Sequence, residues 1–221
     1  MAVAVKVCGM MSEVDIDAAA HAGVDAVGLV LDPAPHRLSL ARAEALAAHA
    51  RARGLEAVAV AGRVGDDEVA QLCDGGRFDV IQVVVTPQLT PRAELLAVFF
   101  DSADLLERAR RWLARVDPPP QTSGVTLSLA GLVNVDGPSG GGRGVRADWQ
   151  RAAELARAVP LVLSGGLRPD NVEAAIAAVL PRAVDVCSAL EHEPGRKDHA
   201  AMAAFVEAVR RAAVASSRGR V

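Results

Sequence analysis

Apolar positions along the chain switch repeatedly between the spacing of a strand and the spacing of a helix. Residues 3–8 (VAVKVC) form a short apolar run typical of a buried strand. Residues 13–22 (EVDIDAAAHA) place their apolar positions at helical spacing, and Gly23 ends that helix. The same alternation predicts, in chain order, strands at 25–31, 56–62, 78–84, 127–136, 160–166 and 183–190, and helices at 39–53, 66–73, 103–115, 148–158, 170–180 and 198–214.

Two stretches are less regular than the rest. Residues 91–100 (PRAELLAVFF) predict a stub of helix that runs into a strand, and the prolines of residues 117–124 (DPPPQTSG) predict a surface loop. The whole pattern amounts to about eight strand–helix units, which predicts an α/β fold with a single (β/α)₈ TIM barrel domain over residues 1–221. A doubly wound open sheet is the alternative, but no Gly-rich dinucleotide-binding fingerprint follows the first strand.

Composition narrows the possible partners and location. The net charge is −3 with acidic and basic residues interspersed, so no basic stripe indicates a nucleic-acid partner. No apolar run is long enough to span a membrane, and Lys6 and Cys8–Gly9 interrupt the first apolar segment before it resembles a signal peptide. We therefore expect a cytoplasmic protein, and its alanine-rich helix faces are compatible with a monomer or a homodimer.

The cysteines and histidines do not have the spacing of metal ligands. The three cysteines are odd in number and far apart, which argues against a disulfide framework, and no Cys/His cluster has the spacing of a zinc site. The five histidines are scattered, and we expect most of them at the surface. The sequence thus predicts no metal site.

Functional groups of a (β/α)₈ barrel lie at the carboxyl ends of its strands. In this chain those ends offer a thiol, carboxylates, a cation and glycine-rich turns. The residues are Cys8, Asp32, Arg37, Gln82, Asp101, Asp136, Gly165, Gly166 and Ser188.

Glycines near the last two strands are candidates for holding a phosphate. Gly165 and Gly166 follow the seventh strand and precede a helix, and backbone N–H groups of such a turn can face an anion. A tight turn without a ligand explains the two glycines equally well, but phosphate loops after strands seven and eight recur in this architecture. The stretch 139–144 (SGGGRG), with Gly141 and Gly142, is either a flexible loop or a cover over the ligand.

Cys8 and Asp136 are the candidates for proton transfer. A buried cysteine is often only a small apolar residue, and an aspartate before Gly-Pro is often only a turn residue. Their positions at strand ends favour a base and an acid that face each other. Lys6 lies on the same side of its strand as Cys8, because side chains alternate with a period of two, and its charge would favour the thiolate.

Several motifs together resemble one known family. KVCGM, AGVDAVGLVLDPAPHRLS, GGRGVRADW, LSGGLRPDNV and VDVCSALEHEPGRKD occur in the order of the motifs of the phosphoribosylanthranilate isomerases of tryptophan biosynthesis. The resemblance extends from residue 5 to about residue 208, and the stretch from 83 to 128 matches poorly.

The resemblance implies an aldose–ketose isomerase without metal or organic cofactor. Its phosphorylated substrate is N-(5-phosphoribosyl)anthranilate, and its product is 1-(2-carboxyphenylamino)-1-deoxyribulose 5-phosphate. The family's general base falls on Cys8, its general acid on Asp136 and its arginine for the anthranilate carboxylate on Arg37. The other residues expected to contact the substrate are Lys6, Gln82, Gly141, Gly142, Gly165, Gly166, Ser188 and Ala189.

Four features depart from the family pattern. The fourth strand, IQVVVTP, keeps Gln82 without the histidine and glycine usual after it, and the loop after the sixth strand is short. Arg143 replaces a threonine of the glycine-rich stretch, and Cys187 stands where a serine is usual. Two other functions stay open: a sister phosphoribosyl sugar isomerase of the histidine-pathway type, which usually has an aspartate where this chain has Cys8, and a phosphate-binding barrel without catalysis.

Overall fold

The computed structural model describes residues 2–116, 128–138 and 146–218, with side chains as far as residue 213. Eight parallel strands hydrogen-bond in chain order, and the eighth pairs with the first to close a barrel. The predicted (β/α)₈ barrel is confirmed. The strands are β1 (Ala4–Cys8), β2 (Ala26–Val30), β3 (Glu56–Gly62), β4 (Val80–Val84), β5 (Leu95–Phe100), β6 (Val133–Asp136), β7 (Leu161–Leu163) and β8 (Ala183–Val186).

Helices cover the outside of the barrel. The hydroxyls of Ser12 and Ser39 accept hydrogen bonds from backbone N–H groups at the starts of the first two helices, as N-caps do. Gly23 ends the first helix with a φ of 82°, a conformation that side chains disfavour. The helices are α1 (Glu13–Ala22), α2 (Leu40–Ala52), α3 (Asp66–Cys73), α4 (Leu105–Leu113), α5 (Trp149–Ala156), α6 (Val172–Val179) and α7 (His199–Arg218).

The fourth unit has no helix, so the helical stub predicted within residues 91–100 is wrong. Residues 85–94 form turns between β4 and β5, and their two prolines, Pro87 and Pro91, each remove a backbone donor that a helix requires. The loop is instead tied to α3, because the Thr90 N–H donates to Asp66 Oδ1 at 2.8 Å. The strand predicted at its end is confirmed as β5.

The ends of the barrel also differ in detail from the prediction. The strand predicted over residues 127–136 is confirmed only as β6, because Gly131, at a φ of 73°, forms a turn just before it. After β8 the chain makes a short 3₁₀ turn (Ser188–Leu190) and a hairpin of β9 (Glu191–Glu193) and β10 (Arg196–Lys197) before α7 begins. This hairpin folds over the end of β8 and contributes side chains to the site.

The barrel interior is divided into an apolar floor and a polar layer. Small apolar side chains fill one end of it: Ala4, Ala26, Val58, Val80, Leu96, Val162 and Ala183. Two residues further along the strands, the same faces carry polar side chains: Lys6, Gln82, Asn134, Ser164 and Asp185. Asn134 and Ser164 are hydrogen-bonded to each other: the Ser164 hydroxyl donates to Asn134 Oδ1 at 2.7 Å. The polar layer faces the carboxyl ends of the strands.

Within the residues that the structure describes, no helix is both long enough and apolar enough to cross a membrane.

Candidate active site

A buried ion pair lies below the carboxyl-terminal rim of the barrel. Lys6 of β1 and Asp185 of β8 are paired residues in the sheet, and Lys6 Nζ lies 2.9 Å from Asp185 Oδ2. The Lys6 side chain is fully buried. Burial alone would lower the pKa of Lys6, but the Asp185 carboxylate and the nearby thiols raise it above its ordinary value. Lys6 is therefore a fixed positive charge inside the barrel.

Cys8 lies two residues beyond Lys6, at the tip of β1, and its side chain is partly exposed. It is paired in the sheet with Gly28 of β2, and a Cβ at Gly28 would lie 2.7 Å from Cys8 Sγ. The thiol thus occupies the space that glycine leaves. Hydrogen bonding with the Cys187 side chain, together with the positive charge of Lys6, outweighs the effect of burial and lowers the pKa of Cys8 to about 7.

Asp136 ends β6 and is buried. The pKa of its carboxyl is raised to about 6, mainly by burial and also by the nearby Asp185 carboxylate. The Gly137 N–H, which donates to Asp136 Oδ1 at 2.7 Å, opposes this shift. Lys6 and Asp185 act on the pKa of Asp136 and also on that of Cys8. One ion pair therefore acts on the pKa of both groups.

Asp101, at the tip of the neighbouring strand β5, has a pKa shifted in the opposite direction, below its ordinary value. The Arg151 guanidinium donates two hydrogen bonds to its carboxylate, from Nε to Oδ1 at 2.7 Å and from Nη2 to Oδ2 at 3.1 Å. The Asp148 N–H donates a third, to Oδ2 at 2.8 Å. Burial alone would raise the pKa of Asp101, but these hydrogen bonds lower it. Asp101 anchors the start of α5, whereas Asp136 is the carboxyl suited to carry a proton.

The tip of β8 carries a second cluster. Cys187 Sγ lies 3.7 Å from Glu191 Oε1 and 4.0 Å from His36 Nε2, and Glu191 also binds His36 and Lys197. The donor atoms of His36, Cys187 and Glu191 lie within 4.8 Å of one another, close enough for a metal ion. However, Lys197 Nζ contacts both Glu191 and Cys187 and already supplies a positive charge there. The arrangement is an ion-pair network.

The turn after β7 has two backbone N–H groups without an acceptor among the described residues. Gly165 and Gly166 adopt φ values of 85° and 63°, which side chains disfavour. Neither of their N–H groups donates a hydrogen bond within the part of the chain that the structure describes. Ser188 and Ala189 lie in the 3₁₀ turn after β8, the strand that pairs with both β7 and β1. The four residues lie at the same end of the barrel as Cys8.

Arg37 and Gln82, two further predicted site residues, belong to the β2 and β4 units of the barrel. The exposed Arg37 follows β2 and lines a groove of about 610 Å³ together with Glu68 and Asp74, and its guanidinium has no bond to any described side chain. Gln82 faces inward on β4, and its Oε1 is buried without a hydrogen-bond partner among the described residues. Gly141 and Gly142 lie outside the residues that the structure describes.

Some residues of the site had no signal in the sequence. Asp185 belongs to an apolar strand, and only its pairing with Lys6 reveals its role. His36 is 8% exposed and is an exception to the expectation that most of the histidines lie at the surface. Phe100, at the tip of β5, lies under the Arg63 guanidinium, which is 5.7 Å from the ring centroid.

Comparison with known proteins assigns the chain to a family. A family model described as N-(5'phosphoribosyl)anthranilate (PRA) isomerase matches residues 120–208. N-(5'-phosphoribosyl)anthranilate isomerase of Natronomonas pharaonis is 38% identical over 92% of this chain and 96% of that protein. The protein of the same name from Roseiflexus sp. is 38% identical over 95% of this chain and 98% of its own length.

A solved structure agrees with these matches. The crystal structure of phosphoribosyl anthranilate isomerase from Thermotoga maritima superposes with a TM-score of 0.76 at 25% identity, covering 94% of this chain and 98% of that one. The similarity extends over nearly the whole length of each relative, so it is not confined to a shared barrel segment. The chain belongs to the N-(5'-phosphoribosyl)anthranilate isomerase family.

Proposed function

We propose that the protein isomerises N-(5'-phosphoribosyl)anthranilate to 1-(2-carboxyphenylamino)-1-deoxyribulose 5-phosphate by general acid–base catalysis. The observation that carries the proposal is the pair of opposed pKa shifts around one ion pair. The pKa of the Cys8 thiol falls to about 7 and that of the Asp136 carboxyl rises to about 6, so both groups exchange protons near neutral pH. The relatives' names supply the substrate.

Asp136 acts first, as the general acid. In its protonated form it donates a proton to the ribose ring oxygen, the C1′–O bond breaks, and the anilino nitrogen's lone pair forms the C=N bond of a protonated Schiff base. Burial supports this role, because it keeps the proton on the carboxyl at a pH where an exposed aspartate would have lost it.

Cys8 then acts as the general base. Its thiolate removes the C2′ proton, and the electrons move into the C1′–C2′ bond and onto the nitrogen to give an enolamine. Tautomerisation of the enolamine, with a proton added at C1′, gives the C2′ ketone. Lys6 supports the thiolate electrostatically, and Gly28 leaves room for Sγ at the tip of β1.

Other residues hold the two charged ends of the substrate. In the proposal, the N–H groups of Gly165 and Gly166 and the turn at Ser188 and Ala189 bind the phosphate. Arg37, whose guanidinium is unpaired within the described residues, binds the anthranilate carboxylate. Gln82 offers its unpartnered Oε1 to the ligand from the barrel interior.

Turnover of freshly prepared N-(5'-phosphoribosyl)anthranilate tests the proposal, with the loss of anthranilate fluorescence as the measurement. We expect the purified protein to consume the substrate, and Cys8→Ala and Asp136→Asn each to lower kcat by roughly 10²–10⁴-fold. Cys73→Ser is the matched control, because Cys73 lies in α3 and has no part in the proposed chemistry.

Three results would count against this function. Wild-type protein that binds the substrate or inorganic phosphate without turnover would favour a binding barrel. Turnover confined to the aminoimidazole-carboxamide substrate of the histidine-pathway type would favour the sister isomerase. Unchanged turnover by Cys8→Ala would remove the thiol from the mechanism. Growth of a tryptophan auxotroph that lacks this step, with wild type but not with Cys8→Ala, is the corresponding result in cells.

A further inference from the structure

Cys8 and Cys187 are neighbours at the rim although 179 positions separate them in the sequence. The register of β1 against β8 pairs Lys6 with Asp185 and Val7 with Val186, and each chain segment continues with a cysteine: Cys8 ends β1, and Cys187 directly follows β8. Adjacent strands lie about 4.8 Å apart, and disulfides require Cα atoms roughly 4.4–6.8 Å apart. Two cysteines that each follow a paired position on neighbouring strands therefore start from a backbone spacing that a disulfide can bridge.

The two side chains also face each other. Side chains alternate along a strand, so Cys8 points to the side of Lys6 and Cys187 to the side of Asp185, and those two residues already touch at 2.9 Å. Glycines leave room around both sulfur atoms: a Cβ at Gly28 would lie 2.7 Å from Cys8 Sγ, and one at Gly9 would lie 3.0 Å from Cys187 Sγ. Each thiol also affects the pKa of the other, as expected for close neighbours.

The surrounding charges suit thiol oxidation. Lys197 Nζ lies 3.7 Å from Cys187 Sγ, and Glu191 Oε1, also 3.7 Å from that sulfur, is placed to accept the Cys187 proton. Cys8 carries the thiolate, because its interaction with Cys187 and the charge of Lys6 lower its pKa, whereas the interaction with Cys8 and burial raise the pKa of Cys187. Both cysteines are partly exposed, so a small oxidant can reach them.

We propose that Cys8 and Cys187 form a reversible intramolecular disulfide when the protein meets a peroxide, and that this modification switches the site off. The site is thus a redox modification site that contains the proposed catalytic base. The formation of the bond does not depend on the proposed function, whereas its effect on turnover does.

The chemical steps balance with peroxide as the oxidant. The Cys8 thiolate attacks a peroxide oxygen, the O–O bond breaks, and Cys8 becomes a sulfenic acid as hydroxide leaves. Cys187 Sγ then attacks Cys8 Sγ, the S–S bond forms, and the S–O bond breaks, with the Cys187 proton leaving in the water released. Two thiols lose two electrons in total and one peroxide is reduced to two waters. A dithiol reductant reverses the result.

Hydrogen peroxide treatment of the whole protein tests the inference in Cys73→Ser and wild-type backgrounds. We expect the intact mass to fall by two hydrogens, a digest to yield a peptide pair joined through Cys8 and Cys187, and turnover to fall in proportion to the joined fraction. Dithiothreitol should restore both. In Cys187→Ser we expect no joined peptides, and Cys8 should proceed to sulfinic or sulfonic acid, which the reductant does not reverse.

The inference is overturned if wild-type Cys8 is over-oxidised while Cys187 stays a free thiol, if Cys8 pairs with Cys73 or with a second chain, or if Cys187→Ser recovers as well as wild type. Alkylation of the wild type before and after peroxide gives a second readout that needs no variant: Cys8 and Cys187 should become protected together while Cys73 stays reactive. Absence of isomerase turnover would refute the proposed function. If the Cys8–Cys187 disulfide still formed in that protein, the present inference would stand.

Discussion

Lys6 Nζ lies 2.9 Å from Asp185 Oδ2, and this buried ion pair is the electrostatic neighbour of both Cys8 and Asp136. The pair forms because β8 closes the barrel against β1 in a register that places residues 6 and 185 side by side. A charge held inside the barrel thus helps to set the proton affinity of two groups that belong to different strands. The β1–β8 register that closes the barrel therefore also places the charges that shift the pKa values of Cys8 and Asp136.

Breaking this pair should cost much more stability than breaking a surface pair. We expect Lys6→Met and Asp185→Asn each to lower the free energy of unfolding by about 3–5 kcal/mol, because each leaves one buried partner uncompensated. The double variant should lose at least about 1 kcal/mol less than the two single losses together. Urea unfolding measures all three.

Arg111→Met is the control for that cycle. Arg111 and Glu107 form an exposed pair, with side chains 71% and 69% accessible, and its loss should change stability by less than about 1 kcal/mol. Additive losses in the Lys6/Asp185 cycle would contradict a direct interaction. As a second readout, the pH dependence of Cys8 alkylation in Lys6→Met should shift to higher pH, because the cation that favours the thiolate is gone.

The rate should depend on pH with a narrow maximum. The base must be deprotonated and the acid protonated, and their pKa values are about 7 for Cys8 and about 6 for Asp136. We expect kcat/KM to rise with pH below about 6, to peak near pH 6.5 and to fall above about 7. Even at the peak, only roughly one molecule in twenty has Asp136 protonated and Cys8 deprotonated at the same time.

A rate profile from pH 4.5 to pH 9 measures this dependence, with alkylation of Cys8 in the free Cys73→Ser enzyme as the direct titration of the thiol. The alkylation experiment contains no substrate, so it separates the thiol from the ionisation of the substrate phosphate. A rate that keeps rising to pH 9 would exclude a protonated Asp136 from the productive form.

The order of the elements could be predicted from the sequence because each buried strand and each amphipathic helix is a local pattern. Helix α1 and strand β3 occur at the predicted residues, and Cys8 and Asp136 lie at the strand tips where the alternation placed them. The helical stub predicted within residues 91–100 does not form, because Pro87 and Pro91 each remove a backbone donor that a helix requires.

The network around the thiols could not be predicted, since its members are brought together only by barrel closure and by the hairpin after β8. His36, Cys187 and Lys197 come from three separate segments, and no spacing in the sequence relates them. Asp185 was overlooked for the same reason: one carboxylate in an apolar strand has no meaning until its partner on β1 is known.

Asp136→Asn should stabilise the protein at neutral pH while it removes the proposed acid. The pKa of Asp136 is 3.8 ordinarily and about 6 in the folded protein, so the folded state holds the proton more tightly. That contribution to stability is fully present below about pH 4 and is lost as the pH rises through about 6. At pH 8 the free energy of unfolding of the Asp136→Asn variant should therefore exceed that of wild type by roughly 2–3 kcal/mol, and at pH 3.5 this difference should vanish.

The same substitution on the neighbouring strand should have the opposite sign. The Arg151 and Asp148 hydrogen bonds lower the pKa of Asp101, so its carboxylate stabilises the folded state above its ordinary pKa, and Asp101→Asn should lower stability at pH 8. Chemical denaturation of Asp136→Asn, Asp101→Asn and wild type at pH 8 and at pH 3.5 measures these stability differences. A stability loss at pH 8 for Asp136→Asn would mean that its carboxylate is not poorly solvated in the folded protein.

Gly28→Ala should damage the site through the thiol that it contacts. The added Cβ would lie 2.7 Å from Cys8 Sγ and 3.0 Å from Cys8 Cα, and because the latter is backbone it cannot rotate away. We expect a stability loss of about 1–3 kcal/mol from overpacking and at least a tenfold loss in kcat/KM as Sγ is displaced from the rim. Gly65→Ala is the matched control, since it has a φ of −85° and no atom within 4 Å of the new Cβ. Thermal unfolding and turnover of both variants are the measurements, and equal turnover in the two would show that the space beside Cys8 is not what positions the thiol.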